Sequence, residues 1–199
     1  MAELVFDAEQ HKYFVDGVEY PSVSEIIKPL GDDVDDTDLE LVFEAAAERG
    51  TLCHWVLEQL LNGVTEFEYP SSYESYIDAI RLFVSEHEII PIAIETPIYS
   101  LTEKMAGTPD LLCYFDDVLT IVDYKFVSQI AKVKVKAQLN AYQKMYTEQG
   151  VYPDQLLAVQ FLNDGGYRIY PVKIDNTEIK LCLQIYDLKH KKHSRGKID

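Results

Sequence analysis

The chain has 199 residues, of which 47% are hydrophobic, and it carries a formal net charge of −16. This length and composition favour one domain with a sizeable core, and no uncharged apolar stretch approaches the roughly 18 residues of a membrane span. The first residues lack the basic and apolar segments of a secretory signal, so we expect a cytoplasmic protein with no membrane partner.

Charge is distributed unevenly along the chain. Residues 1–125 carry 6 basic and 27 acidic side chains, whereas residues 126–199 carry 12 basic and 7 acidic ones. The acidic total argues against a nucleic-acid partner, because phosphate repels carboxylate. The C-terminal third is basic, however, and is available to contact phosphate. Two interpretations therefore stay open: a nucleic-acid-binding face, or the solubility charge of an ordinary acidic protein.

Turn and capping signals predict the first elements. β-prone residues and the turn signal Asp16-Gly17 predict an N-terminal β-hairpin over about residues 3–20. A capping-box pattern that begins at Ser22 predicts a short helix after it. The acidic run over residues 31–38 predicts a solvated loop.

Periodicity separates the later helices from the strands. Apolar residues recur at helical spacing over residues 38–62, 73–88, 133–149 and 177 to about 191. Segments rich in β-branched and aromatic residues predict strands over residues 92–99, 110–115, 118–126, 156–162 and 167–174. This order predicts a single α/β domain over residues 1–199, in which helices flank a mixed β-sheet.

Two neighbouring strands carry the residues best suited to chemistry. Asp123 and Lys125 stand two apart, so their side chains leave the same face of the strand while Tyr124 points to the other. Asp110 begins the preceding strand, and a short turn joins the two, so we expect Asp110 to approach Asp123 at one end of the sheet. A surface ion pair on an edge strand is the alternative. Apolar neighbours indicate buried strands, in which charges are costly without a function.

Two carboxylates this close repel each other unless a positive group joins them. A hard divalent cation is the natural solution, since magnesium binds one or two carboxylates together with water and phosphate. Lys125 beside such a metal can orient the attacking water or stabilise charge on the phosphorane. The pattern alone therefore predicts a metal site, and Asp110, Asp123 and Lys125 are the candidate catalytic residues if that metal assists phosphodiester hydrolysis.

Four short motifs follow one another along the chain: Gly50-Thr51-x-x-His54, Gly107-Thr108-Pro109-Asp110, Ile121-Val122-Asp123-Tyr124-Lys125 and Gln138-x-x-x-Tyr142. Their order and spacing resemble the PD-(D/E)XK nuclease superfamily, with its restriction-endonuclease-like fold, and within it the RecB-type exonuclease branch. The N-terminal segment is similar to the opening of phage and prophage exonucleases of this branch. Mitochondrial genome-maintenance exonucleases are similar in motif layout.

The resemblance implies a role for each matching position. His54, Asp110 and Asp123 would be side-chain metal ligands, the backbone carbonyl of Tyr124 would complete the protein ligands, and Lys125 would be the catalytic lysine. The implied cofactor is Mg²⁺ or Mn²⁺. Relatives with an iron–sulfur cluster hold it with four cysteines, and this chain has three, far apart in sequence, so no iron–sulfur cluster is expected.

Other residues are candidates for supporting the site or binding DNA. Gln138 and Tyr142 either support the site or contact the nucleic-acid backbone, and packing of a helix face on the sheet is the alternative. Glu58 shares a helix face with His54. Glu95 is either a carboxylate behind the metal ligands or an edge-strand charge. Phosphate contacts are expected from nearby basic residues: Arg49, Lys132, Lys134, Lys136 and Lys144.

The function that the resemblance implies is that of a metal-dependent DNA exonuclease in phage-type recombination or DNA end processing. It would act in a bacterial or phage-infected cell on single-stranded DNA or duplex ends, with a single-strand annealing protein as a further partner. A structure-selective or single-strand endonuclease on the same fold is the alternative enzyme. A non-catalytic acidic DNA mimic or inhibitor is the alternative from another class, which the net charge of −16 favours.

Overall fold

The computed structural model describes residues 2–31 and 40–194, without the side chains of residues 40–46 and 191–194. Its strands are β1 (Leu4–Asp7), β2 (Lys12–Val15), β3 (Val18–Tyr20), β4 (Ile89–Ile94), β5 (Ile98–Ser100), β6 (Met105–Gly107), β7 (Leu111–Phe115), β8 (Val118–Lys125), β9 (Gln155–Phe161) and β10 (Tyr167–Pro171). Its helices are α1 (Val23–Ile27), α2 (Glu40–Leu61), α3 (Glu74–Glu86), α4 (Lys132–Glu148) and α5 (Thr177–Ser194). Residues 32–38 of the predicted acidic loop lie outside the described residues.

The central sheet has the strand order β10-β9-β8-β7-β4. β8 and β9 are parallel and are connected through α4, whereas the other neighbouring strands are antiparallel. Helices cover both faces of this sheet, which confirms the predicted mixed sheet flanked by helices. None of the helices formed by residues 2–31 and 40–194 combines the length and the apolar character that a bilayer span needs.

Two hydrophobic cores lie on the two faces of the sheet. Side chains of α2 and α3 pack on one face together with Val122 and Tyr124 of β8. Side chains of α1, α4 and α5 pack on the other face together with Ile121. Since side chains alternate along a strand, Asp123 and Lys125 leave β8 on the same face as Ile121, toward α4. The catalytic candidates therefore lie where β8 ends, at the border between the helical layers.

The N-terminal segment forms more than the predicted hairpin. β1, β2 and β3 make a three-stranded antiparallel sheet, because the turn at Asp16-Gly17 leads directly into another strand. Both turn residues have positive φ, 48° and 77°, as a tight turn between strands requires. The short helix after Ser22 is confirmed: the hydroxyl of Ser22 accepts a hydrogen bond from the backbone N–H of Glu25 at 3.0 Å.

The strand predicted over residues 92–99 is two strands in different sheets. β4 pairs with β7 at the edge of the central sheet, whereas β5 pairs with β6, a strand that the sequence did not reveal. The chain leaves β4 at Glu95, whose φ of 43° is incompatible with continued strand geometry. Pro97 follows and lacks the backbone donor that a continuous strand needs.

Candidate metal centre

The register of β7 and β8 determines where the two aspartates meet. Leu111 pairs with Val122, so Asp110 and Asp123 lie opposite each other just beyond this pair. The backbone N–H of Tyr124 donates to Oδ2 of Asp110 at 2.6 Å, which fixes this carboxylate against β8. The ammonium of Lys125 forms an ion pair with Oδ2 of Asp123 at 2.8 Å. The side chain of Asp123 is only 1% exposed, so this charged pair is held inside the protein.

Two further ligand-type side chains arrive from other elements. His54 comes from α2, and its Nδ1 lies 3.1 Å from Oε1 of Glu95 and 3.9 Å from Oδ1 of Asp110. Glu95 follows β4 directly, and its backbone N–H donates to the carbonyl of Asp110 at 3.0 Å. One ligand atom from each of the three side chains lies within 4.8 Å of the others. Glu95 thus belongs to the cluster itself, a position that sequence reasoning left open.

Burial and neighbouring charges shift the pKa values of the ionisable groups at the centre. The pKa of Asp123 is raised to about 6: burial is the main cause, the charge of Lys125 opposes the rise, and the charge of Asp110 adds to it. Burial also raises the pKa of Asp110, although the charges of His54 and Lys125 oppose this. Burial alone would lower the pKa of His54, but the charges of Asp110 and Glu95 outweigh it and raise the pKa to about 9. The protonated imidazole therefore supplies part of the charge that balances the carboxylates.

These donors fit a hard divalent cation. The cluster offers carboxylate oxygens and one imidazole nitrogen, the ligand types that suit magnesium and manganese. Both carboxylate oxygens of Asp123 are buried: Oδ2 is in contact with the ammonium of Lys125, whereas Oδ1 has no hydrogen-bond partner among the described residues. A buried carboxylate oxygen without a partner is costly, and a bound cation would remove that cost. His54, Glu95 and Asp110 also line an open cleft, together with Gly50, Thr51, Trp55 and Glu58.

Gln138 and Tyr142 of α4 lie directly behind Lys125. The ammonium of Lys125 donates to Oε1 of Gln138 at 3.3 Å, and Nε2 of Gln138 donates to the hydroxyl of Tyr142 at 3.3 Å. Tyr142 is 3% exposed and packs against Gly107, where an added Cβ would lie 2.8 Å from Cε1 of the ring. This burial leaves Tyr142 no surface for nucleic acid, and the contacts favour a supporting role for both residues.

Two of the basic candidates are engaged elsewhere. Nη2 of Arg49 donates to the carbonyl of Phe126 at 3.0 Å, and its guanidinium lies over the ring of Tyr76. Lys136 lies 2.9 Å from Asp175 and 2.8 Å from a carboxylate oxygen of Glu178. Their role as phosphate contacts stays a prediction, and these protein groups would compete with phosphate for the two side chains.

The remaining lysine candidates lie in different surroundings. Lys144 is paired with Glu103 and is not available in this arrangement. Lys132 is exposed at the first turn of α4, with its ammonium 5.7 Å from the centre of the Tyr170 ring. Lys134 lies on the same turn. The role of all three lysines as phosphate contacts stays a prediction.

Sequence reasoning missed Gln160, which fixes the segment that follows Lys125. Gln160 lies beside Lys125 in the parallel pair of β8 and β9 and is 2% exposed. Its Nε2 donates to the carbonyls of Val127 at 2.8 Å and Ser128 at 3.0 Å, and its Oε1 accepts from Tyr170. A glutamine inside an otherwise apolar strand was the available signal, since a buried amide needs partners.

The comparisons with known proteins give a fold-level likeness only. No family model matches the chain, and no curated protein matches it in sequence. Among solved structures it is similar to LHK-Exo in complex with dAMP, with 13% identity, 88% of this chain and 92% of the other covered, and a TM-score of 0.40. Another structure of this alkaline exonuclease, from Laribacter hongkongensis, gives 12% identity, coverage of 85% and 90%, and a TM-score of 0.37. The geometry of the centre, rather than this likeness, is the basis for assigning a function.

Proposed function

We propose that the chain is a metal-dependent nuclease that hydrolyses phosphodiester bonds. The observation that carries the proposal is the cluster itself. Asp110 and the buried Asp123–Lys125 pair meet His54 and Glu95 at the carboxyl end of β8, beside an open cleft. A purely structural ion pair would not need this excess of carboxylates, two of which have raised pKa values because they are buried.

Each residue of the centre has a distinct task in this proposal. Asp110, Asp123 and the neutral form of His54 would hold the divalent cation, which would displace the imidazole proton; the Tyr124 carbonyl would be a further ligand, with Glu95 in reach of His54. When bound, the cation lowers the pKa of the attacking water and offsets charge on the phosphoryl oxygens. Lys125 places a fixed positive charge beside Asp123, where it orients the water or stabilises the phosphorane. Gln138 holds the ammonium of Lys125 in that position.

The finer assignment rests on the motif order in the sequence. We propose a DNA exonuclease of the RecB-type branch of the PD-(D/E)XK superfamily, acting in phage-type recombination or end processing. The proposed phosphate contacts are the basic side chains near the centre: Arg49, Lys132, Lys134, Lys136 and Lys144. A single-strand annealing protein is the proposed partner.

The DNA-mimic alternative has one observation in its favour, the net charge of −16. A mimic presents its carboxylates on the surface, where a DNA-binding protein can reach them. Asp123 is instead buried beside Lys125, at a place where such a partner cannot contact it. The arrangement of the carboxylates therefore favours the nuclease.

Cleavage assays test the proposal and separate exonuclease from endonuclease. We expect the wild-type chain to degrade linear DNA with Mg²⁺ or Mn²⁺, to leave circular single strands and closed duplex circles intact, and to be inactive with a chelator. Lys125→Ala should lower the rate by about 10²-fold or more, because a preorganised charge is lost. Lys12→Ala, which removes a lysine paired with Glu19 in the N-terminal sheet, is the matched control and should cleave normally. Equal cleavage rates for the wild type and Lys125→Ala would refute the mechanism. Rapid cutting of circular DNA would show that the protein is an endonuclease rather than an exonuclease.

A further inference from the structure

An exposed tryptophan stands at the mouth of the candidate metal centre. Trp55 follows His54 on α2 and is 40% exposed. It lines the cleft that contains His54, Glu95 and Asp110, and it also lines an adjoining groove with Ala47, Thr51 and Leu52. The indole thus forms the border between the reactive cluster and a neighbouring, more apolar surface.

The indole is held by neighbouring rings. Phe67 meets Trp55 edge-on, with ring centres 5.8 Å apart, and the ring centre of Tyr69 lies 6.0 Å from that of Phe67. The guanidinium of Arg81 packs over both Phe67 and Tyr69, at 5.5 Å and 5.7 Å from the ring centres. Because this support limits its motion, Trp55 would lose little conformational freedom on binding a flat group.

Charge around Trp55 restricts what that group can be. Glu58 lines the same cleft, and Glu48 lines the adjoining groove. These carboxylates repel a phosphate placed against this side of α2, whereas an uncharged ring is not repelled. An exposed aromatic side chain is suited to stacking on the face of a nucleobase. Inside a duplex both faces of a base are covered by its neighbours, so an internal base must be unpaired to stack here.

We propose that Trp55 is a stacking platform for an unpaired nucleobase next to the scissile phosphate, so that the substrate strand enters the centre as a single strand. This inference rests on the proposed nuclease function and names the form of DNA that the centre accepts. The phosphate lies at the cluster of His54, Asp110 and Asp123, and the adjacent base turns onto Trp55. Base identity matters little, because every base presents an aromatic face.

The fluorescence of Trp55 reports this contact directly, because it is the only tryptophan of the chain. Asp123→Asn in Mg²⁺ and the wild-type chain in a chelator are used so that the strand is not cut. An oligo-dT strand of about 12 nucleotides, within the size range of single-strand sites, should quench the emission at saturation. A strand of equal length made of abasic nucleotides keeps the phosphates and lacks the bases, and it should not quench. A hairpin duplex with both ends closed by loops of non-nucleotide linker should not quench either.

Substitutions measure how much the platform contributes to binding. With end-labelled oligo-dT, Trp55→Ala should weaken the affinity about tenfold or more, since stacking of one base on an aromatic side chain is typically worth that much. Trp55→Phe should keep most of the affinity. Tyr152→Ala is the matched control: Tyr152 is 65% exposed and lies in the segment leading into β9, at the opposite end of the sheet, so this variant should bind as the wild type does.

The outcomes distinguish this inference from the proposed function. Equal quenching by oligo-dT and by the abasic strand overturns the platform, as does wild-type affinity in Trp55→Ala. Quenching by the closed hairpin but not by oligo-dT also overturns it. If the platform fails in these ways while the wild type still cleaves linear DNA, the nuclease assignment stands. If base-dependent quenching occurs without any cleavage, the platform stands as a DNA-binding site and the nuclease assignment fails.

Discussion

The ammonium of Lys125 is fixed from two sides. On one side lies the carboxylate of Asp123 at 2.8 Å, and on the other the carboxamide oxygen of Gln138 at 3.3 Å. A lysine has a long flexible side chain, so its position is defined only where such partners restrain it. Gln138 in turn donates to the hydroxyl of Tyr142. The ammonium of Lys125 is therefore positioned by hydrogen bonds that connect it through Gln138 to the buried Tyr142 on α4.

Removing Gln138 should affect the chemical step more than metal binding. We expect Gln138→Ala to lower kcat about tenfold, because a misplaced catalytic group loses part of its preorganisation. The affinity for Mn²⁺, measured by calorimetry, should stay unchanged because Gln138 is not among the proposed ligands. Gln143→Ala, on the same helix, is the control and should retain the wild-type rate. A Gln138→Ala variant with normal kcat would show that Lys125 does not depend on this contact.

Single residues differ in how far the sequence reveals them. Asp110, Asp123 and Lys125 could be placed together because strand alternation and a short turn determine which side chains share a face and an end. Glu95 could not be placed, since it reaches His54 only because the backbone turns at a positive φ of 43°. The partners of Arg49 and Lys136 could not be placed either, because a basic side chain in the sequence does not show which protein groups contact it.

At the scale of elements, β6 is packed tightly against α4. Gly107 ends β6, and a Cβ at this position would lie 2.8 Å from Cε1 of Tyr142 and 3.2 Å from Cγ2 of Val23. The close approach lets the segment leading to Asp110 lie directly on the helix that carries Gln138. A glycine is therefore sterically required at the first position of the Gly107–Asp110 motif.

Gly107→Ala should destabilise the protein. We expect the free energy of unfolding to fall by about 1–3 kcal/mol, since an added methyl group in a packed region forces its neighbours to move. Gly50→Ala in α2 is the control: apart from the backbone of its own helix and its chain neighbours, no atom of the described residues lies within 4 Å of its added Cβ, and alanine is a better helix former, so its stability should be equal or higher. Chemical denaturation measures both variants, and unchanged stability of Gly107→Ala would contradict the packing described here.

The last turn of α4 holds the turn after β5 through Glu148. Its carboxylate accepts from the hydroxyl of Ser100 at 2.5 Å, from the backbone N–H groups of Leu101 and Thr102 at 2.9 and 3.0 Å, and from the Thr102 hydroxyl at 3.1 Å. Partial burial alone would raise the pKa of Glu148, but these hydrogen bonds outweigh it and lower the pKa. The ionised form of Glu148 is thus the one that stabilises the fold.

Glu148→Gln should destabilise the protein at neutral pH by about 1 kcal/mol, a value kept low because Glu148 is exposed to solvent. Since the pKa is lower in the folded chain than in the unfolded one, this stabilisation is complete above the usual glutamate pKa of about 4.3 and is lost as the pH falls below it. Unfolding curves of wild type and variant should therefore converge at acidic pH. Glu66→Gln, in the loop after α2, is the control and should unfold as the wild type does. A difference that stays constant down to low pH would show that the charge of Glu148 is not involved.

The bounds of an element could be predicted from the sequence where a local interaction determines them. The helix after Ser22 was predictable because its cap is a local hydrogen bond, and α4 was predictable from its apolar spacing. The division between β4 and β5 was not, because residues 92–99 are uniformly β-prone and the break depends on pairing with distant strands. β6 has three residues and owes its existence to β5, so local sequence carries almost no sign of it.

At the scale of the whole molecule, the sheet places the centre between two helical layers. α2 contributes His54 from one side, α4 contributes Gln138 from the other, and β7 and β8 contribute the aspartates and Lys125 between them. The mixed sheet with flanking helices could be predicted because the order of helices and strands restricts the possible layers. The strand order and the docking of α2 beside β4 could not, since they depend on packing between residues far apart in sequence.

Crystals grown with Mn²⁺ provide the most direct test of the central claim, that the cluster is a metal centre. The account predicts an anomalous difference peak bonded to the carboxylates of Asp110 and Asp123 and to the imidazole of His54, and its loss in crystals of Asp123→Asn. Wild-type crystals that bind Mn²⁺ only elsewhere, or that keep Lys125 and Asp123 paired with no ion at the cluster, would contradict it.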